Sequence, residues 1–280
     1  MRRILLFGLI SIGFLAVLGA YHLLKYSDNN FHLIFCNVGQ GDGILIRTPR
    51  GIDVIIDGGS KENSMTECLS RHLPFWDREI EVMYMAHPDA DHLTGLIGVV
   101  KSYNVKYFGT PDAPKGTAVY LELMQLLETN KIAKHSILLG DGLKTKDGIT
   151  IATYWPTSGF IDLKSEETND YSLVQMVKYG KFQALLTGDI PSTYLNSILP
   201  QIGYLDVFKP PHHGSKTGVD EFTFQHLIPK FAVLSYGYRN RYHHPSPQVI
   251  DILKQYKIPF KDTLNGDVEI ISDGERWSIK

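Results

Sequence analysis

The chain reads as an α/β protein, and three features predict that class. Short β-branched runs bounded by glycine or proline recur along it, helical periodicities lie between them, and polar residues collect just past the apolar runs. With 280 residues and 43% hydrophobic content, there is enough chain to bury a large core. Residues 31–158 open with strands at 33–38, 43–48 and 54–57. The turn Asp57-Gly58-Gly59-Ser60 then leads to a helix near 65–73, a strand at 82–86 and a helix at 92–103. Apolar residues at helical spacing mark 120–130, and 149–155 reads as a strand. After a polar loop at 158–169 the logic repeats, with strands at 172–179, 183–187, 206–209 and 232–235 and helices near 191–199, 220–227 and 246–255. Two such halves fit two sheets packed face to face with helices outside, although periodicity by itself specifies only α/β.

Residues 1–30 differ from the 31–280 domain that follows. Met1-Arg2-Arg3 precedes an uncharged run at residues 4–24, broken only by Ser11, Tyr21 and His22. At helical rise that run spans roughly 31 Å, the thickness of a bilayer's hydrocarbon core. Two arginines before it and one lysine after it predict a cytoplasmic amino terminus and an external domain. The competing reading is a signal peptide cut near Leu18-Gly19-Ala20; either way the domain is exported. Net charge is −2, so no global basic field recruits nucleic acid, and nothing points to a protein partner. Cys36 falls within the predicted strand 33–38, where a small buried thiol is expected and a bridge to Cys68 is not.

The chemistry concentrates in His87-Pro88-Asp89-Ala90-Asp91-His92, four metal-ligand side chains in six residues after an apolar run. Grouped histidines and carboxylates carry a desolvation and repulsion cost that a cation removes. Three more strand ends present the same residue types: Thr187-Gly188-Asp189, Pro211-His212-His213-Gly214-Ser215 and Tyr242-His243-His244-Pro245. Any one alone has a bland reading as a cap or surface residue. Four in series point to a metal site at the carboxyl ends of strands.

These motifs, with Cys36-Asn37-Val38-Gly39-Gln40-Gly41-Asp42 and Ile56-Asp57-Gly58-Gly59, resemble the metallo-β-lactamase superfamily. The closer resemblance is to the carboxyl-terminal domain of ComEC-type DNA-uptake proteins and its free-standing relatives, over residues 31–272. Two positions depart from the pattern: Asp89 stands for the usual second histidine, and Asn37 for an aspartate. The resemblance implies a four-layer αβ/βα sandwich and two divalent metal ions. His87, Asp89 and one of His212 and His213 would hold one ion, Asp91, His92 and His244 the other, and Asp189 would bridge them. Asp91 and His213 are the implied catalytic residues, and Asp57 would orient a ligand histidine. His212, Ser215 and Lys216 are left for the substrate or leaving group. A nitrogen and oxygen ligand set suits zinc or manganese.

The implied reaction is attack by a metal-activated water on a phosphodiester, with DNA outside the cytoplasmic membrane as substrate. Lys209, Lys216, Arg239 and Arg241 are the candidate phosphate contacts, and Tyr236, Tyr238 and Tyr242 the candidate base-stacking residues. The alternative substrate is a small ester, lactone or phosphorylated cell-wall component.

Overall fold

The structure, a computed structural model, describes residues 7, 10–19, 28–113 and 116–280. Residue 7 and residues 10–19 are helical (the latter α1), and the rest of the expected anchor at 4–24 lies outside the described residues. Among the described residues no helix is long and apolar enough to cross a membrane.

Strands β1 (Phe31–Phe35), β2 (Gly43–Arg47) and β3 (Asp53–Gly58) form an antiparallel meander. Helix α2 (Ser64–His72) leads to β4 (Glu79–Ile80) and β5 (Val82–Tyr84), and α3 (Ala90–Ser102) to β6 (Asn104–Val105) and β7 (Phe108–Thr110). Helix α4 (Ala118–Thr129) precedes β8 (Lys134–Ser136). The second half runs β9 (Gly142–Lys144), β10 (Ile149–Trp155), α5 (Ser158–Asp162), β11 (Val174–Tyr179), β12 (Phe182–Leu186) and α6 (Ser192–Ile198). It continues through β13 (Val207–Phe208), α7 (Glu221–His226), β14 (Phe231–Leu234), α8 (Pro247–Gln255) and β15 (Phe260–Asp262) to β16 (Val268–Ser272) and β17 (Trp277–Ile279).

Eight strands in the order β17-β16-β1-β2-β3-β5-β7-β8 make one sheet, and seven in the order β15-β14-β13-β12-β11-β10-β9 make the other. Strand alternation builds the layers. Leu33 and Phe35 of β1 meet Ala184 and Leu186 of β12 in a core between the sheets. Ile34 and Cys36 face the opposite way, into a core shared with Leu69 of α2 and Leu96 of α3. Leu185 likewise turns from the sheet interface towards Leu195 of α6 and Leu253 of α8. Helix, sheet, sheet and helix therefore stack as four layers, the expected αβ/βα sandwich.

Two details differ from the sequence reading. The halves are not split at residue 158: β9 and β10 already belong to the second sheet, while β16 returns to pair with β1, Phe31 opposite Ser272. A long-range return pairing leaves no local signature. Cys36 and Cys68 form a disulfide, with Cα atoms 5.9 Å apart. The expectation of an unpaired thiol failed because β1 ends at Phe35, so Cys36 opens the departing loop, where its side chain meets α2.

The bridge closes a loop across a sequence separation of 32 residues. Chain-entropy reasoning assigns such a loop about 3–4 kcal/mol. Replacing both cysteines by serine is expected to lower Tm by roughly 10 °C. A thermal melt followed by circular dichroism checks this, and an unchanged Tm contradicts the pairing.

Candidate metal centre

Parallel strands β3-β5-β7-β8 and β12-β13-β14-β15 send their carboxyl ends to one edge of the sandwich. Chemistry gathers there because the loops leaving these ends are free of ladder pairing. Asp57, next to last in β3, has a left-handed conformation, φ 62°. Its Oδ1 accepts the Ala86 amide at 2.7 Å and its Oδ2 lies 2.8 Å from His92 Nδ1. Helix α3 reaches that position because Gly58 and Gly95 touch backbone to backbone. A Cβ on Gly95 would lie 1.9 Å from the Gly58 carbonyl oxygen.

Four donor groups converge. His92 Nε2 lies 3.2 Å from Asp189 Oδ2, and His213 Nε2 lies 3.3 Å from the same oxygen and 3.4 Å from Asp91 Oδ2. Ligands about 2.0–2.1 Å from a tetrahedral cation stand about 3.3–3.4 Å apart, so this spacing suits a shared ion. Both histidines present the right nitrogen. With Nδ1 donating to Asp57 in His92 and to the Ser235 carbonyl at 3.0 Å in His213, each Nε2 turns its lone pair inward. His92 Nε2, His213 Nε2, Asp189 Oδ1 and both ring nitrogens of His87 are buried and make no hydrogen bond. Such orphaned atoms are what a divalent metal site requires and what a packed core avoids.

The electrostatics agree. Burial works against protonating His92, yet Asp189 and Asp57 raise its pKa well above the ordinary value. His213 is raised in the same way, against burial, by Asp189 and Asp42. Burial opposes ionisation of Asp189, and His213 and His92 outweigh it, holding that carboxyl well below the usual range. A cation in the cluster would supply the positive charge that protons otherwise provide.

A second group lies beside the first. His87 Nε2 is 3.7 Å from Asp89 Oδ2, its ring is 4.1 Å from that of His92, and His212 Nε2 is 3.9 Å from Asp189 Oδ2. Asp89 thus places a carboxylate where the family pattern has a histidine, its other oxygen accepting from Thr168 Oγ1 at 2.7 Å. The expected grouping changes in one respect: His213, not His244, stands with Asp91, His92 and Asp189. His212 and His213 both have left-handed backbones, φ 51° and 56°, and their rings diverge by 81°. One therefore turns to each group. His244 sits at the rim, its ring 5.3 Å from that of His212, and its pKa is pushed down to about 4 by burial and by His212 and His213.

Two residues carry roles that sequence reading missed. Asp42 lies behind the histidines, Oδ1 3.4 Å from His213 Nδ1 and Oδ2 3.9 Å from His92 Nδ1, and forms an ion pair with Lys209. Gly41 makes this approach possible, since a Cβ there would meet the Asp91 carbonyl oxygen at 1.8 Å. Lys209 is fully buried and also donates to the Gly188 carbonyl at 2.9 Å. It cannot contact a phosphate backbone, contrary to the sequence expectation. Tyr236 is likewise engaged, its hydroxyl donating to Asp262 at 2.9 Å. Ser215 is buried in a turn with Thr217, Oγ to Oγ1 2.9 Å, while Lys216 is exposed. Asn37 stays outside the cluster: its amide donates to Asp267 at 2.8 Å and its Oδ1 accepts from Gly39 at 3.3 Å. A cleft of 730 Å³ opens beside the metal-binding edge, lined by Gln40, Asp89, Asp91, Asn240, Arg241 and Tyr242 among others. Arg239 and Arg241 are exposed, each with its guanidinium over the ring of the tyrosine beside it, 5.1 Å from Tyr238 and 4.7 Å from Tyr242.

No family model matches the chain. It is similar to ComE operon protein 3 of Bacillus subtilis, 28% identical over 79% of this chain and 30% of that protein. It is also similar to Recombination protein 2 of Haemophilus influenzae, 25% identical over 98% of this chain and 32% of that protein. The chain has a metallo-β-lactamase fold. Solved structures sharing this fold include the diiron β-hydroxylase CmlA of Streptomyces venezuelae, with a TM-score of 0.57, 12% identity and coverage of 85% of this chain and 53% of that one. Zn²⁺-bound PqqB of Methylobacterium extorquens matches with a TM-score of 0.51 and 10% identity, covering 81% of this chain and 86% of that one. The fold thus accounts for most of the chain, which itself covers about a third of the length of the curated relatives it matches.

Proposed function

We propose that this chain is a metal-dependent phosphodiesterase that cuts DNA outside the cytoplasmic membrane. The observation that carries the reading is the convergence of buried His92, Asp189 and His213 with half-buried Asp91, successive donor atoms lying 3.2–3.4 Å apart. His87, Asp89 and His212 complete a donor set for two ions, zinc or manganese. Bound divalent cations supply Lewis acidity and acidify a water molecule, so no covalent nucleophile is needed. The chain's own residues then do three things. Asp57 and the Ser235 carbonyl fix the tautomers of His92 and His213. Arg241 and Asn240 line the cleft where a phosphate would be oriented. Tyr238, exposed and covered by Arg239 on one face, offers its other face for stacking a base, while the ring of Tyr242 already stacks on His244.

DNA is favoured as substrate by the relative named for recombination and by the exposed arginines. An external location is favoured by the apolar run at 4–24 and by the disulfide, which persists in oxidising compartments. The substrate is tested by cleavage of single- and double-stranded DNA with zinc or manganese present. Replacing Arg239 and Arg241 by alanine is expected to weaken DNA binding and flatten its salt dependence by about two phosphate contacts, with metal content unchanged. Turnover of a small phosphodiester with intact DNA would instead favour the small-substrate reading.

A further inference from the structure

Phe75 and Trp76, consecutive in the loop between α2 and β4, are 70% and 49% exposed, their rings packed edge-on with centroids 4.9 Å apart. The Asp77 amide donates to the Pro74 carbonyl at 2.9 Å, so the two aromatics form the tip of a closed turn. That turn is tied to the sheet. Asp77 lies 3.3 Å from Arg47 Nη1, Arg47 stands opposite His32 in the β1–β2 ladder, and His32 Nε2 lies 3.0 Å from Asp28 Oδ1. The chain leaving the apolar run at 4–24 therefore reaches the sheet beside this turn. Asp28 is four residues on from Leu24, a reach of at most about 14 Å. In the described part of that run, Ile10, Ile12, Phe14, Leu15 and Val17 are all 59–70% exposed, apolar around the helix as a lipid-facing segment would be.

We infer that Phe75 and Trp76 seat the domain on a phospholipid surface, dipping into its interface next to the anchoring segment. The inference rests on the reading that residues 4–24 are membrane-anchored. Tryptophan and phenylalanine suit that depth, where an apolar ring body meets lipid and the indole N–H stays hydrated. The contact also orients the metal centre. Arg47 pairs with Asp53 at one end of β3, and Asp57 marks the other end four residues on, about 13 Å away. The metal-binding edge is thereby held off the bilayer, open to a soluble polymer.

The test uses the full chain in vesicles of phosphatidylethanolamine and phosphatidylglycerol whose acyl chains carry bromine near the headgroup. Tryptophan fluorescence is expected to be quenched, and Trp76→Phe to lose most of that quenching. Trp155, buried, and Trp277, hydrogen-bonded to Asp206 at 2.8 Å, remain as the background. Vesicle flotation of the Phe75→Ser/Trp76→Ser variant should persist, because the anchor is untouched. A chain that floats with the vesicles and shows no quenching, or quenching unchanged by Trp76→Phe, overturns the inference alone. Crosslinking of two copies through this turn overturns it in favour of a self-interface. A chain that does not float overturns the anchor reading as well.

Discussion

Asp189→Ala is expected to cut metal-dependent turnover by on the order of a hundredfold or more, and to lower bound metal in the same preparation. Asp189 Oδ2 lies within 3.3 Å of the inward nitrogens of both His92 and His213 and 3.9 Å from His212, so the carboxylate joins the two donor groups. Alanine leaves those nitrogens buried with no shared anion. The wild-type protein should also melt higher with metal than without, by about 2.7 kcal/mol of added stability at a hundredfold excess over Kd, and the variant should lose part of that gain. Metal analysis and thermal melts of both proteins check this. Unaltered metal content in Asp189→Ala would exclude the shared-carboxylate geometry, and unaltered DNA cleavage would expose a contaminating nuclease.

The largest effect on stability is expected at Lys209. Its ammonium is fully buried, paired with Asp42 and bonded to the Gly188 carbonyl. Burial works to raise the pKa of Asp42, and Lys209 and His213 outweigh it, keeping the carboxyl ionised. Lys209→Met strands that charge and should cost about 3–5 kcal/mol. Adding Asp42→Asn to the same protein should recover part of the loss, because the stranded charge is gone. Denaturant titration of the two single variants and the double variant measures the coupling. A loss below about 1 kcal/mol for Lys209→Met would place the lysine in water, against the structure.

The contrast between these residues shows what the sequence reveals. His87, Asp89, Asp91, His92 and Asp189 were legible because they follow apolar strand runs, where a charged side chain has no packing role. Lys209 follows such a run too, yet its direction into the protein depends on Asp42, more than 160 residues earlier, which no local pattern encodes. The pairing of His213 with Asp91 depends on two left-handed backbone conformations at neighbouring histidines, a feature without a compositional mark. Layering was readable from alternation, whereas the return of β16 to β1 and the bridge from Cys36 to α2 are long-range contacts.

In the proposed function the strand-end cluster binds divalent metal and uses it for hydrolysis. Its most direct test is the metal content of the purified chain after zinc or manganese is restored, read together with phosphodiester hydrolysis before and after chelation. About two ions per chain, with hydrolysis lost on chelation and regained with metal, is the predicted result. A chain that holds no divalent cation, with hydrolysis absent or indifferent to the chelator, would contradict it.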